Sequence, residues 1–386
     1  MKISVLGSTG SVGTQVIEVA RESKISIIAI SAGKNISLLK EQIREFNPKF
    51  VCVQNKKDAN LLADEFKDIK FLNGIDGLKK IAALEEPEVV FNAVSGFIGI
   101  YPCLAAAKIG KKIALANKEC VVSSGLILAN EVLKNNAEIL PLDSEHSAIW
   151  QCLGNKKIFH SSDYKRIKKI ILTASGGPFL NKSPEELANV KPCDVLDHPV
   201  WKMGAKISVD SATMINKGLE IIEASYFFGI DPSKIEVLIH PECSVHSMVE
   251  FENGSILAQI SRPSMKISIQ NALEYVFGKI YFNSNFNLDI TKANFEFYKP
   301  NPCTQNLFDF FKQSAIKGNS ATCAITAADK VAVDAFLSQK IGFLDIEKIV
   351  RGTVENFSPN YLENISEISK NYYKFKNKAL KLIKNL

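Results

Sequence analysis

The apolar run Ile3 to Leu6 breaks into Gly7-Ser8-Thr9-Gly10-Ser11-Val12-Gly13, and a helical pattern follows from Val12 to Glu22. Strand, glycine turn and helix in this order leave few folds open. Glycines allow the tight reversal and let backbone N–H groups approach an anion at the positive end of the helix. The alternation then continues. Ile25 to Ser31 reads as a strand, Leu38 to Phe46 as a helix and Phe50 to Gln54 as a strand. Leu61 to Phe66 is helical, Val89 to Ala93 extended, Pro102 to Ile109 helical and Lys112 to Ala116 extended. Strands separated by helices must run parallel through right-handed crossovers. The spacing predicts an α/β fold that opens with a Rossmann-like parallel sheet over residues 1–142, the nucleotide-binding domain.

The glycine spacing is GxxGxxG, so the neighbouring strand has to indicate which dinucleotide fits. An NAD site usually places an acid at the end of the second strand, on the ribose 2′-hydroxyl. Ser31-Ala32-Gly33-Lys34-Asn35 offers no acid and one lysine. A lysine there suits a 2′-phosphate and points to NADPH. The competing reading makes Lys34 a solvated loop residue.

Beyond residue 142 the pattern changes. Lys168 to Thr173, Ile235 to Ile239, His246 to Glu250 and Ile256 to Ile260 read as strands, several joined with no room for helices. Ser183-Pro184-Glu185-Glu186 carries a capping box for a short helix. We expect an α+β catalytic domain over 143–277, a linker over 278–302 and a small helical domain over 303–386, clearest from Thr322 to Leu337. At 386 residues the chain exceeds one ordinary core.

Composition excludes more than it identifies. Hydrophobic residues at 46% and charged residues at 23% describe a globular chain. A net charge of +6 with scattered lysines lacks the dense basic, aromatic-interleaved face of nucleic-acid binding, and fits anionic small molecules. None of the eight cysteines falls at CxxC spacing, and no run reaches membrane-spanning length. Reduced cysteines in a cytoplasmic protein, with no nucleic acid and no membrane partner, are the expectation.

Two polar stretches carry candidate chemistry. In Leu140-Pro141-Leu142-Asp143-Ser144-Glu145-His146, an extended backbone would project Asp143 and Glu145 to one side. Converging carboxylates repel unless a proton or cation lies between them, and oxygen ligands suit Mg²⁺ or Mn²⁺. His146 would point away as a structural histidine. In Ile207 to Glu220, Asn216 and Glu220 share a face if the segment is helical. Ser211, Asn216 and Lys217 supply donors and a charge for a phosphate, or Ser211 simply caps a helix. Ser175-Gly176-Gly177-Pro178 offers a hydroxyl and pliant backbone for the same anion, or is only a turn. Trp201 and Met203 are either core residues or a lid that closes over substrate.

GSTGSVG, NKE at 117–119, LPLDSEHSAIWQ at 140–151, TASGGPF at 173–179, HPVWKMGAKISVDSATMINKGLE at 198–220 and HPECSVHSMVEF at 240–251 together resemble the 1-deoxy-D-xylulose-5-phosphate reductoisomerase family, over nearly the whole chain. The resemblance implies that Asp143, Glu145 and Glu220 hold the metal, with Lys118 and Ser144 at the substrate's oxygen-bearing end. It implies that Asn117 and Glu119 line the cofactor edge, and that Thr9, Gly10, Ser11, Val12, Gly33, Lys34, Asn35 and Gly204 contact NADPH. Ser175, Ser211, Asn216 and Lys217 would grip the phosphate, with His198 close by. The implied reaction rearranges and reduces 1-deoxy-D-xylulose 5-phosphate to 2-C-methyl-D-erythritol 4-phosphate, on the way to isoprenoids, in a homodimer. Cys243, Asp329-Lys330 and Ser264 depart from the family pattern, which bears on packing and subunit contacts. A semialdehyde or homoserine dehydrogenase is the nearest rival, and would be metal-independent. A catalytically dead nucleotide-binding protein is the other, but it would be expected to have lost one of Asp143, Glu145, Lys217 or Glu220.

Overall fold

The computed structural model describes residues 1–160, 164–180, 182–196, 204–280, 286–355 and 357–386. Its first part alternates β1 (Lys2–Leu6), α1 (Ser11–Glu22), β2 (Ser26–Ala32), α2 (Ile36–Phe46), β3 (Phe50–Val53), α3 (Lys56–Glu65), β4 (Lys70–Asn73), α4 (Gly74–Ala82), β5 (Val89–Asn92), α5 (Ile100–Lys108), β6 (Lys112–Leu115), α6 (Lys118–Lys134) and β7 (Glu138–Pro141). Among the described residues the seven strands form one sheet in the order β4-β3-β2-β1-β5-β6-β7. All of its pairs are parallel. Helices cover both faces, which is why Ile3, Val5, Leu6, Val89, Phe91 and Ile113 are all fully buried and read as near-continuous apolar runs. The order reverses between β1 and β5, opening a crevice at the carboxyl ends of those strands.

Two strands and two helices here escaped the sequence pattern. β4 and β7 are the two edge strands of the sheet. Helix α4 begins on Gly74 and carries Gly77, whose missing Cβ would stand 2.7 Å from Cys52 Sγ, so close packing outweighs helix propensity. Helix α6 opens where Asn117 accepts from the Cys120 N–H at 2.8 Å.

The chain continues through α7 (Ser144–Cys152), β8 (Ile167–Ala174), α8 (Pro184–Leu187), α9 (Pro192–Val195), α10 (Ala205–Ala212), α11 (Ile215–Phe228), β9 (Ile235–Ile239), β10 (Val245–Phe251), β11 (Ile256–Ile260) and α12 (Met265–Phe277). A second sheet has the order β11-β10-β8-β9, with β8 and β9 parallel and the other pairs antiparallel. The expected close succession of strands holds from β9 to β11. It fails between β8 and β9, because a parallel pair needs a long crossover, here one that includes helices α8 to α11. The capping box is present: the Ser183 N–H donates to Glu186 Oε2 at 2.8 Å, and the Glu186 N–H to Ser183 Oγ at 3.4 Å.

Between residues 286 and 301 the backbone returns to the second sheet, where Ile239 and Tyr298 exchange N–H···O bonds of 2.8 and 2.9 Å. Helices α13 (Pro302–Lys317), α14 (Asn319–Leu337), α15 (Asp345–Val354) and α16 (Ile365–Lys384) complete the chain. Helix α14 is buried along nearly its whole length, because Ala321, Ala324, Ala327, Ala328 and Ala332 let α6, α15 and α16 approach closely. Tyr372 of α16 stacks on Phe97 at 4.0 Å, so the C-terminal helices share a core with the parallel sheet. No disulfide joins any of the eight cysteines, and Cys193 and Cys303 are exposed. No helix among the described residues is long and apolar enough to cross a membrane.

Candidate active site

A cavity of about 430 Å³ lies where the first turn of α1, the N-terminus of α6, the β7–α7 junction, the end of β8 and helices α10 and α11 meet. It collects one carboxylate cluster. Ligand oxygens of Asp143, Glu145 and Glu220 come within 4.8 Å of one another. The route to this geometry differs from the extended one expected. Asp143 is the N-cap residue of α7 and Glu145 stands in its first helical turn, so the two converge across a helix start, not along a strand. Glu220 arrives from α11, one turn beyond Asn216, whose Nδ2 donates to Glu220 Oε1 at 2.6 Å as the helical spacing predicts. Met214, at φ 62°, makes the sharp turn from α10 into α11.

Two lysines neutralise the carboxylates. Lys118 Nζ lies 2.6 Å from Asp143 Oδ2 and 3.1 Å from Glu220 Oε1. Lys217 Nζ lies 2.6 Å from Glu145 Oε1 and 2.5 Å from Glu220 Oε2. Lys217, expected at a phosphate, is thus held here by the carboxylates, since groups this deeply buried need opposite charges beside them. Burial, reinforced by the Glu145 carboxylate, pushes the Glu220 carboxyl up to about 7. Burial also works to raise Asp143, but the Lys118 ammonium overrides it and holds that carboxyl well below the usual range. Asp143, beside Lys118, is thereby held ionised.

His146 is fully buried and does not line the cavity; it hydrogen-bonds behind the carboxylates, as expected of a structural histidine. Its Nε2 lies 3.1 Å from the Glu220 carbonyl oxygen, so it carries the proton and donates. Nδ1 is then left 3.8 Å from Asp143 Oδ2 and 3.7 Å from Glu223 Oε2. Burial depresses the imidazole to about 4 and raises Glu223 well above the carboxylate range.

Of the residues expected at a phosphate, Ser175, Ser211, Asn216 and Lys217 all line the cavity. Gly176 and Gly177 have φ of +84° and +68°, and a Cβ on Gly177 would stand 3.0 Å from the Ser211 carbonyl, so this loop must be glycine to lie against α10. Ser144 lines the cavity and donates to Glu145 Oε2 at 2.5 Å. Ser11, Val12 and Gly204, expected at the cofactor, line it too.

Other expected residues sit elsewhere. Thr9 and Gly10 lie on the turn before Ser11; Gly33 and Lys34 are exposed beyond β2, and Asn35 caps α2 by accepting from the Leu38 N–H at 3.1 Å. The Asn117 side chain is occupied in structure, capping α6 and donating to the carbonyls of Val94 and Gly96. Glu119 is buried beside Lys206 at 3.4 Å. His198, Trp201 and Met203 fall outside the described residues.

The cavity also contains residues to which no role was given in advance. Gln15 and Glu18 extend the Ser11 face of α1, at helical spacings that were available in the sequence. His240 shapes the turn before β10: its Nε2 accepts from the N–H groups of Ser244 and Val245 at 3.1 and 3.0 Å, while Nδ1 donates to the Glu296 carbonyl at 2.9 Å. Cys243, His246 and Met265 complete the wall.

Sequence profiles of 1-deoxy-D-xylulose 5-phosphate reductoisomerase match residues 3–125, and profiles of C-terminal domains of the same enzyme match 139–228 and 260–375. The 1-deoxy-D-xylulose 5-phosphate reductoisomerase of Lachnoclostridium phytofermentans is 44% identical over 95% of this chain and 94% of its own. The chain belongs to the 1-deoxy-D-xylulose 5-phosphate reductoisomerase family. The family member from Clostridium tetani is 43% identical over 95% of both chains. Among solved structures, a DOX-P reductoisomerase in complex with NADPH, fosmidomycin and magnesium superposes with a TM-score of 0.92 at 34% identity, covering 100% of this chain and 98% of that one. The reductoisomerase of Zymomonas mobilis in complex with NADPH gives 0.89 at 35% identity, covering 100% and 99%.

Proposed function

We propose that this family member converts 1-deoxy-D-xylulose 5-phosphate to 2-C-methyl-D-erythritol 4-phosphate, with NADPH as hydride donor and Mg²⁺ or Mn²⁺ held by Asp143, Glu145 and Glu220. The observation that carries the reading is the carboxylate cluster, three oxygen donors within 4.8 Å on the cavity wall. Hard oxygen ligands fit a small divalent cation, and three carboxylates here share only two ammonium groups, Lys118 and Lys217. When bound, the cation supplies Lewis-acid polarisation of a ketone and adjacent hydroxyl.

The chain's own residues do the rest. Lys118, beside Asp143 and Glu220, offers an ammonium to the substrate's oxygens at the reacting end. Ser175, Ser211, Asn216 and Lys217 take the phosphate, Lys217 once a cation on Glu145 and Glu220 has replaced its charge there, so that binding at the remote end orders the reacting one. Ser144, held to Glu145, presents its hydroxyl from the first turn of α7. For the cofactor, Gly10 to Val12 present backbone N–H groups at the α1 N-terminus, where the first turn holds no acid to repel a pyrophosphate. Gly13 fits that use: a Cβ there would stand 2.0 Å from the Gly7 carbonyl. Thr9, Gly33, Lys34, Asn35 and Gly204 complete the cofactor's surroundings, with Lys34 for the 2′-phosphate, and Asn117 and Glu119 support the nicotinamide side through α6.

We divide the chain into 1–142 for the cofactor, 143–277 for metal and substrate, 278–302 as a connection and 303–386 as a helical cap. The working unit is a homodimer in the cytoplasm. Strand β11 supports the dimer: it is a sheet edge with Ile256, Leu257 and Ile260 between 40% and 52% exposed, and apolar edges are normally covered.

Single substitutions test the metal assignment. Asp143→Asn and Glu220→Gln are expected to abolish turnover while NADPH still binds, as read by quenching of its fluorescence. Near-parental turnover in both would refute it.

A further inference from the structure

Helix α10 has two faces with different partners. Gly204, just before it, and Ile207 and Ser211 line the cavity at spacings of three and four. Lys206 and Asp210, also one turn apart, face α14 and the start of α6 instead. Lys206 Nζ lies 2.6 Å from Asp210 Oδ2, 2.6 Å from Asp329 Oδ2 and 3.4 Å from Glu119 Oε1. Asp210 is 2% exposed and Asp329 0%, and Oδ1 of each is buried with no hydrogen-bond partner.

Three carboxylates around one ammonium are a costly way to join helices. Each charge has lost its water, and apolar side chains of similar size would hold the same elements at least as firmly. The orphaned oxygens add to that cost. What apolar packing lacks is direction. Charge-assisted bonds are short and orient their partners, and these join three elements at one atom. None of the four side chains lines the cavity, yet three of them sit beside a residue that does: Lys206 beside Ile207, Asp210 beside Ser211, Glu119 beside Lys118.

We propose that Lys206 is a positioning residue: by tying Asp210, Asp329 and Glu119 to one ammonium, it fixes Ser211 relative to Lys118 and so sets the affinity for the phosphorylated substrate. The proposal rests on the reading of Ser211 as a phosphate contact. The carboxylate cluster is held separately, by Lys118 and Lys217, so disturbing the Lys206 joint affects binding before it affects chemistry.

The test is steady-state NADPH oxidation with Mg²⁺ and 1-deoxy-D-xylulose 5-phosphate, for the parent, Lys206→Met, Lys206→Arg and Asp329→Leu, with thermal melts in parallel. The methionine and leucine variants are expected to raise KM by about fivefold or more, the equivalent of about one hydrogen bond, with kcat within about threefold. Arginine at 206 keeps the charge and is expected to restore KM to within about twofold of the parent. If Lys206→Met fails to fold, Asp329→Leu, which leaves the Lys206–Asp210 pair in place, decides alone. An unmoved KM in a parent-like background overturns the proposal even where the melting temperature falls, because a purely structural joint would lose stability only. A parent without turnover overturns the functional reading and this proposal together; a parent with turnover and variants with unmoved KM overturn this proposal alone.

Discussion

Replacing Lys118 with methionine removes one of the two ammonium groups that neutralise the carboxylate cluster. The Lys118 side chain is 8% exposed and touches Asp143 and Glu220, which are 14% and 0% exposed. Methionine fills much the same volume, so the packing loss is small and the electrostatic loss dominates. Removing one partner of a buried ion pair costs about 3–5 kcal/mol, because the other is left uncompensated. With about 2.1 cal/mol/K of unfolding entropy per residue over 386 residues, that corresponds to a fall in melting temperature of about 4–6 °C. The metal assignment adds a second, sharper expectation. A divalent cation among Asp143, Glu145 and Glu220 replaces the missing charge and no longer competes with Lys118 for the same oxygens. The rise in melting temperature on adding Mg²⁺ should therefore be larger in the variant than in the parent; saturation at a hundred times Kd alone adds about 2.7 kcal/mol. Differential scanning fluorimetry of both proteins, in EDTA and across a Mg²⁺ titration, measures both effects. Equal Mg²⁺ responses, or a variant as stable as the parent in EDTA, would refute the reasoning.

Three other outcomes can be checked independently. Gly13→Ala places a Cβ 2.0 Å from the Gly7 carbonyl, backbone against backbone, and is expected to abolish NADPH binding by forcing the turn open, as read by fluorescence quenching; unchanged binding would show that the turn holds no cofactor. Ile256→Lys with Leu257→Lys charges the β11 edge and should convert a dimer to monomers in light scattering, whereas an unaltered dimer would place the interface elsewhere. Burial, reinforced by Asp329, pushes the Asp210 carboxyl up to about 8, with Lys206 pulling the other way. A raised acid stabilises the fold fully only below its ordinary range and loses that contribution as pH climbs toward the raised value. Asp210→Asn should therefore gain stability relative to the parent between pH 5 and pH 8 in urea unfolding, and a pH-independent difference would contradict the assignment.

The doubly wound half was legible because a parallel sheet covered on both faces writes near-continuous apolar runs, and Ile3 to Leu6, broken only by Ser4, and Val89 to Phe91 are such runs. The strands that escaped, β4 and β7, are the two edges of the sheet: β4 offers only Phe71 and Leu72 between polar ends, and β7 opens on Glu138 and closes on Pro141. Asp143 to Glu145 shows how a right pairing can follow from wrong geometry. Asp143-Ser144-Glu145 carries a helix-start signature, a cap residue and then an acid in the first turn, but the preceding Leu140-Pro141-Leu142 suggested continued extension. Asn216 and Glu220 were readable because a one-turn spacing within a helix is local. The Lys206 joint was half readable: Lys206 and Asp210 are one turn apart, but Asp329 lies 123 residues from Lys206, and only the packing of α14 on α10 brings it in. Lys217 illustrates the remaining gap, since sequence supplies a cation without saying whether carboxylates or a phosphate will hold it.

The most direct test of the functional reading is NADPH oxidation at 340 nm by the purified protein with 1-deoxy-D-xylulose 5-phosphate, in EDTA and then with Mg²⁺ or Mn²⁺. Oxidation that needs both the sugar phosphate and the cation is the expected result. Oxidation in EDTA, or none with the cation present while NADPH still binds, would contradict it.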